Sequence, residues 1–262
     1  MVKTVQLGSG DPSPQPSPRV AGRGGRSLGR LPLLPIILAL GSACIMPGKA
    51  PIGNAGDVLA SCGADGLIDD GEDGNNQTKV VAGRGGYWYT FTEGHGTTVV
   101  PEAGEAGGMF EMSPGGVNGS KFAANAKGRV TGGKIVYGAL GMNFADPMTP
   151  YDASAYKGVA FWAKKGPGSY GKVRFKIPDT STHQAGGVCT DCFNDFGADI
   201  MLTESWQHFV FSWRKLKQIP DWGAPRPHMI KPGKLFGMQW QVNQPGADFD
   251  VWVDDVEFVG CN

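Results

Sequence analysis

Residues 158–179, GVAFWAKKGPGSYGKVRFKIPD, hold two short runs of β-branched and aromatic residues separated by a Gly- and Pro-rich turn. In the second run Val173, Phe175 and Ile177 fall on one side, with Arg174, Lys176 and Pro178 on the other. A period of two residues marks a strand with one buried face. The same texture recurs outward from this stretch. GYWYTFTE (86–93), GGKIVYGALGMNF (132–144), WQHFVFSW (206–213), LFGMQWQVN (235–243) and DFDVWVDDVEFV (248–259) are all short and bounded by Gly, Pro, Asn or Asp. In LFGMQWQVN, Phe236, Met238, Trp240 and Val242 alternate with Gly237, Gln239 and Gln241. The 42 glycines of the 262-residue chain disfavour helices, since each interior Gly costs about 1 kcal/mol against Ala. Many short strands with Gly-rich turns predict an all-β fold, a jelly-roll β-sandwich.

The chain divides into three parts. Residues 1–43 are a low-complexity leader followed by a signal segment: Arg23, Arg26 and Arg30 precede the apolar run LPLLPIILAL (31–40), and Gly41, Ser42 and Ala43 follow it. A basic region, a short apolar core and a small-residue exit describe a secretory signal. The run is shorter than the roughly 20 residues of a membrane span. Cys44 directly follows Ala43, as in a lipoprotein signal, although Gly41 stands where such signals carry Leu; lipid anchoring at Cys44 and simple cleavage both remain open. Residues 44–64 read as a linker, and residues 65–262 as the folded domain. The expected localisation is the cell envelope or the extracellular space, with a lipid as the sole link to a membrane.

Charge and cysteines narrow the classes further. The chain is neutral overall, but Lys3, Arg19, Arg23, Arg26 and Arg30 face only Asp11 within residues 1–43, so the remainder is mildly acidic. Without a basic cluster it has no electrostatic footprint for nucleic acid. Beyond Cys44, four cysteines remain, an even number suited to an oxidising compartment. Cys62 and Cys261 bracket the domain, and the ends of β-sandwiches often lie close together, which predicts a Cys62–Cys261 bridge. Cys189 and Cys192 would then close a small loop. The rival readings of C-T-D-C, a zinc or redox motif, lack further ligands and a βαβ context.

No catalytic constellation stands out. Two carboxylates facing each other across a sugar would be needed for glycoside hydrolysis, yet Glu93, Glu204 and Glu257 fall in unrelated contexts. The folded region carries no G-x-S-x-G, and His95, His183, His208 and His228 form no pair at helical spacing. Sugar binding asks for less: an aromatic platform and polar side chains for hydroxyls. Arg174, Lys176, Gln239 and Gln241 share the second face of one sheet if their strands are neighbours, and Tyr87, Tyr89, Asp179 and His183 are placed to rim it. Most of the seven tryptophans are expected in the core. A solvated sheet face is the plain alternative for any one of these residues. As a group they suit a polar cleft for an uncharged glycan.

The order of motifs resembles a known family. LIDDGEDGNN (67–76) with GYWYTF, then YDASAYKGVAFWAKKGPGSYGKVRFKIPD (151–179), then FDVWVDDVEF (249–258), are similar to the ordered motifs of galactose-binding-like carbohydrate-binding modules. Family 11, and the related domain named for complex I intermediate-associated proteins, are the nearest. The resemblance covers roughly residues 65–260; Gly71 departs from it, replacing an aromatic before Glu72. It implies a non-catalytic, monomeric module for polysaccharide, β-glucan among the candidates. It also implies a structural Ca²⁺ where the first and last strands run side by side, with Glu72 and Asp254 the best-matched ligands and Asp70 beside them; solvated acids at strand ends are the alternative. A small jelly-roll glycan hydrolase or lyase, and a cell-surface protein-interaction or adhesion domain, are the competing functions.

Overall fold

The computed structural model describes residues 59–104 and 108–261. The leader, Cys44 and most of the expected linker lie outside the described residues. Two antiparallel sheets form a β-sandwich. The larger runs β10 (Gln207–Ser212), β7 (Gly158–Lys165), β12 (Asp248–Val259), β5 (Phe122–Arg129) and β3 (Thr98–Val100), with β1 (Leu67–Asp69) also on β12 and β4 (Ser113–Pro114) also on β5. The smaller runs β2 (Trp88–Thr92), β6 (Gly138–Asn143), β11 (Gly237–Val242), β8 (Lys172–Ile177) and β9 (Phe196–Met201).

The alternation that predicted the strands decides what lies between the sheets. Val173, Phe175 and Ile177 of β8, and Met238, Trp240 and Val242 of β11, are buried. Trp240 stacks on Trp88 of β2 at 5.7 Å and receives the edge of Phe161, from the opposite sheet, at 5.2 Å. Phe258 of β12 anchors a second aromatic group, stacking on Tyr156 at 4.8 Å and Tyr151 at 5.7 Å. Burying each such side chain contributes about 1.5–3 kcal/mol. The expectation that most tryptophans are core holds for Trp88, Trp213 and Trp240 only. Trp162, Trp206 and Trp252 are half-buried; Lys164 Nζ lies 4.8 Å and 5.0 Å from the Trp206 and Trp252 rings, a cation–π arrangement.

Strand β5, FAANAKGR, has none of the β-branched residues that mark strands in sequence. Its Ala123, Ala124 and Ala126 are buried, so small side chains are what this position in the sandwich admits. The folded part also begins before residue 65: Ser61 bridges to Val259, and Cys62 is bonded to Cys261 with Cα atoms 5.7 Å apart. Cys189 and Cys192 form the second disulfide, with Cα atoms 5.2 Å apart. At Gly71 the chain turns with φ +67°, a left-handed conformation that glycine adopts without strain.

β1 and β12 pair as expected, and this places Asp69 in the interior. Asp69 accepts hydrogen bonds from the Trp88 indole N–H at 2.5 Å and from the Gly71 N–H at 3.0 Å. Burial outweighs both and pushes its carboxyl up to about 6. The folded state therefore holds this proton more tightly than the unfolded chain does. The associated stability is fully present below the unfolded value near 3.8, and is lost as pH rises through about 6. Urea unfolding followed at pH 7.5 and pH 5 in chelator should show a more stable protein at pH 5. Asp69→Asn should shrink that difference by about 1 kcal/mol; an unchanged difference in the variant would contradict the assignment.

Candidate functional site

Because inward positions of the smaller sheet are apolar, its outward positions form a face of their own, and the register aligns them in rows. Tyr89 of β2 lies opposite Gly141 of β6, which lies opposite Gln239 of β11, then Lys176 of β8 and Gly197 of β9. The next row is Phe91, Ala139, Gln241, Arg174 and Asp199. Small residues on β6 make the trough. A Cβ at Gly141 would come within 2.8 Å of Tyr89 Cζ, so glycine lets the phenol ring lie across the strand. These rows floor a cleft of about 1000 Å³.

Six of the eight residues expected to contact sugar line this cleft: Tyr89, Arg174, Lys176, His183, Gln239 and Gln241; Tyr87 does not. Gln239 Nε2 donates to the Tyr89 hydroxyl at 3.3 Å, and burial raises that phenol to about 12, so it remains protonated. Arg174 donates to the Lys217 carbonyl at 2.5 Å and reaches Asp199 Oδ1 at 3.4 Å. Burial lowers its guanidinium, with Asp199 opposing. Lys176 Nζ sits 3.0 Å from Asp195 Oδ2, both side chains withdrawn from solvent, and Asp195 Oδ1 accepts from the Thr182 hydroxyl at 2.7 Å. Burial also holds His183 below its ordinary value, so its imidazole is neutral at pH 7. The cations at the cleft floor are thus matched by acids, while the amides of Gln239 and Gln241 present donors and acceptors without charge.

Asp179 is a correction. It is fully buried and does not line the cleft. Its carboxylate accepts from the Ser181 N–H at 2.7 Å and the Lys231 N–H at 2.9 Å, tying down the turn that leads to His183. Pairing an inward-turned aspartate with two backbone donors is what lets it be buried. Its position just past β8 gave no sign of this.

Sequence reasoning passed over several lining residues. Phe91 and Tyr137 extend an aromatic wall from Tyr89, with ring centroids 5.7 Å apart at each step. Phe91 was legible, two residues from Tyr89 on the same side of β2. Phe193 and Trp222 lie on loops, where no period marks an outward face; they line the cleft and are 48% and 39% exposed.

The acids of the first and last strands converge in part. Glu72 Oε1 accepts from the Ser120 hydroxyl at 2.8 Å and the Lys121 N–H at 2.6 Å. Asp254 Oδ2 accepts from the Val117 N–H at 2.8 Å, and burial pushes its carboxyl up to about 6. A Cβ on Gly116 would collide with Ser120 Oγ, Asp254 Oδ2 and the Phe122 carbonyl, so three oxygens crowd one cradle beside Glu72. An all-oxygen donor set fits a hard cation. Asp70 pairs with Lys79 at 2.9 Å and accepts from the Glu72 N–H at 3.2 Å. Among the described residues no three His, Cys, Asp or Glu side chains cluster closely enough to hold a metal by themselves, so backbone and hydroxyl oxygens would have to complete the set.

The two antiparallel sheets form a jelly-roll β-sandwich, a fold this chain shares with solved carbohydrate-binding modules. The chain is similar to the family 11 carbohydrate-binding module of the cellulosomal cellulase Lic26A-Cel5E of Clostridium thermocellum, with 14% identity over 74% of this chain and 94% of that one, at a TM-score of 0.50. It is also similar to a family 11 module from Clostridium thermocellum solved in complex with a β-1,3-1,4-mixed-linked tetrasaccharide, with 14% identity over 75% of this chain and 95% of that one, at a TM-score of 0.51. No family model and no curated protein matches the sequence.

The Lys176–Asp195 pair gives the cleft floor a direct test. Removing one partner of a buried pair leaves the other charge uncompensated, at a cost of about 3–5 kcal/mol. Lys176→Met should lower stability by that order in urea unfolding, and the double variant Lys176→Met/Asp195→Asn should recover much of it. A loss below about 1 kcal/mol in the single variant would show that the pair is effectively solvated.

Proposed function

We propose that this protein is a non-catalytic carbohydrate-binding module that holds an uncharged polysaccharide, a β-glucan, in the cleft of its smaller sheet. The observation that carries this reading is the pair of cross-sheet rows, which set amides and cations beside the aromatic wall of Tyr89, Phe91 and Tyr137. Aromatic faces stack on the apolar faces of pyranose rings, while fixed polar groups read the hydroxyls. Five strands spaced about 4.8 Å apart give a floor roughly 19 Å across, room for a run of sugars rather than one. The similar Clostridium module solved with a mixed-linked tetrasaccharide supports β-glucan as the class.

The proposal extends to the setting. Two disulfides suit an oxidising compartment, which accords with export and with a lipid on Cys44 tethering a monomeric domain to the cell envelope. Ca²⁺ at Glu72 and Asp254, with oxygens from the Gly116 cradle, would fasten the first strand to the last without taking part in sugar binding.

Affinity electrophoresis through gels containing mixed-linked β-glucan should retard the protein, and Arg174→Ala or Gln241→Ala should weaken retardation about tenfold in apparent Kd. A folded protein that no neutral glucan retards would overturn the reading, as would release of reducing sugar from the same glucan. Chelator should lower Tm and added Ca²⁺ should restore it, with both effects lost in Glu72→Gln; an identical Tm in chelator and Ca²⁺ would remove the cation from the account.

A further inference from the structure

The cleft has a second side that the sheet does not supply. After β8 the chain enters residues 187–195, closed at one end by the Cys189–Cys192 disulfide, and this strap stands at the edge where β9 begins. Its Asn194 is 2% exposed and holds a separate loop in place. Asn194 Nδ2 donates to the Ile219 carbonyl at 2.8 Å and the Trp222 carbonyl at 2.6 Å, while its Oδ1 accepts from the Ile219 N–H at 2.9 Å. Gln218 Nε2 returns a bond to the Asn194 carbonyl at 2.8 Å. The disulfide loop joins the same loop by backbone: Asp191 bridges to Ala224, and its carboxylate accepts from the Gly223 N–H at 2.9 Å. Every polar group of the Asn194 side chain is therefore spent on positioning residues 219–222.

What this arrangement presents to the cleft is apolar and open. Phe193 stands at φ +76°, a backbone conformation uncommon for an aromatic residue, and packs its ring edge to face against His183 at 5.6 Å. Phe193 and Trp222 remain exposed, although the Phe193 ring packs on His183 and the Trp222 backbone is tied to Asn194. Exposed apolar side chains gathered along one cleft mark a binding surface, where singly scattered ones do not. They line the same cleft as Tyr89 and Phe91, which rise from the opposite edge strand of the sheet.

We propose that Trp222 and Phe193 form a second sugar-binding wall, with Asn194 and the Cys189–Cys192 bridge as its positioning elements, so that a glucan chain is flanked by aromatics on both sides. The inference rests on the glycan-binding reading of the cleft and adds a determinant of specificity. A two-walled cleft takes a single, unbranched chain and excludes a polysaccharide with bulky substituents near the bound rings.

The test is titration of the full domain with a mixed-linked β-glucan oligosaccharide, followed by calorimetry and by the NMR resonances of the tryptophan indole N–H groups. In the wild type the Trp222 indole resonance should shift on ligand addition. Trp222→Ala should weaken binding about tenfold with unchanged Tm, and Trp222→Phe should retain most of the affinity. Asn194→Ala, and separately Cys189→Ser/Cys192→Ser, should move the free Trp222 resonance and diminish its ligand-induced shift. If Trp222→Ala binds as tightly as wild type and the Trp222 resonance stays still, while Tyr89→Ala destroys binding, the second wall is overturned and the glycan-binding reading stands. If the wild type binds no glycan, both fall together.

Discussion

Trp240 lies at the middle of the sandwich, stacked on Trp88 within its own sheet and met edge-on by Phe161 from the other. Side chains on a strand alternate, so these inward placements determine everything on the reverse face. With Trp240 inside, Gln239 and Gln241 must face out; with Trp88 inside, so must Tyr89. The core and the cleft are two readings of one register. A slip of one residue in β11 would put two amides into the core and an indole into the cleft, losing both at once. The stability of the core is thus also what keeps the binding face composed.

On that face, charge is present but largely committed. Lys176 is matched by Asp195, and Arg174 is drawn between a carbonyl and Asp199. Such pairing contributes less to stability than to shape, because breaking it is costly while forming it roughly repays desolvation. Its consequence is a rigid floor whose remaining hydrogen-bonding capacity is carried mainly by neutral amides. A neutral ligand with many hydroxyls is the natural complement. The aromatic wall of Tyr89, Phe91 and Tyr137 then supplies area, at low cost in side-chain entropy because ring packing and the Gln239–Tyr89 hydrogen bond already hold it.

Strand identity and the outward set on β8 and β11 were legible because period-two alternation is strong there. The pairing of Gln239 with Lys176 and of Gln241 with Arg174 bears out the idea that these strands are neighbours. The convergence of the two ends of the domain was readable from the cysteines that bracket it. Alternation fails where a residue's partner is remote. Asp179 looked like one more polar residue at a strand end, yet its partners are the amides of Ser181 and Lys231, the latter 52 residues on. Trp222 sits in a Pro- and Gly-rich loop whose placement depends on Asn194, 28 residues earlier. β5 escaped notice for the opposite reason, since its alanines carry little strand preference and are chosen by tight packing alone.

The most direct measurement is mapping of the ligand contact by NMR, using side-chain amide and indole resonances during titration with the mixed-linked tetrasaccharide. Shifts are expected at the Gln239 and Gln241 amides of the smaller sheet, with the Trp162 and Trp252 indoles of the larger sheet unmoved. Shifts confined to Trp162 and Trp252, with both glutamines silent, would place binding on the opposite face and contradict it.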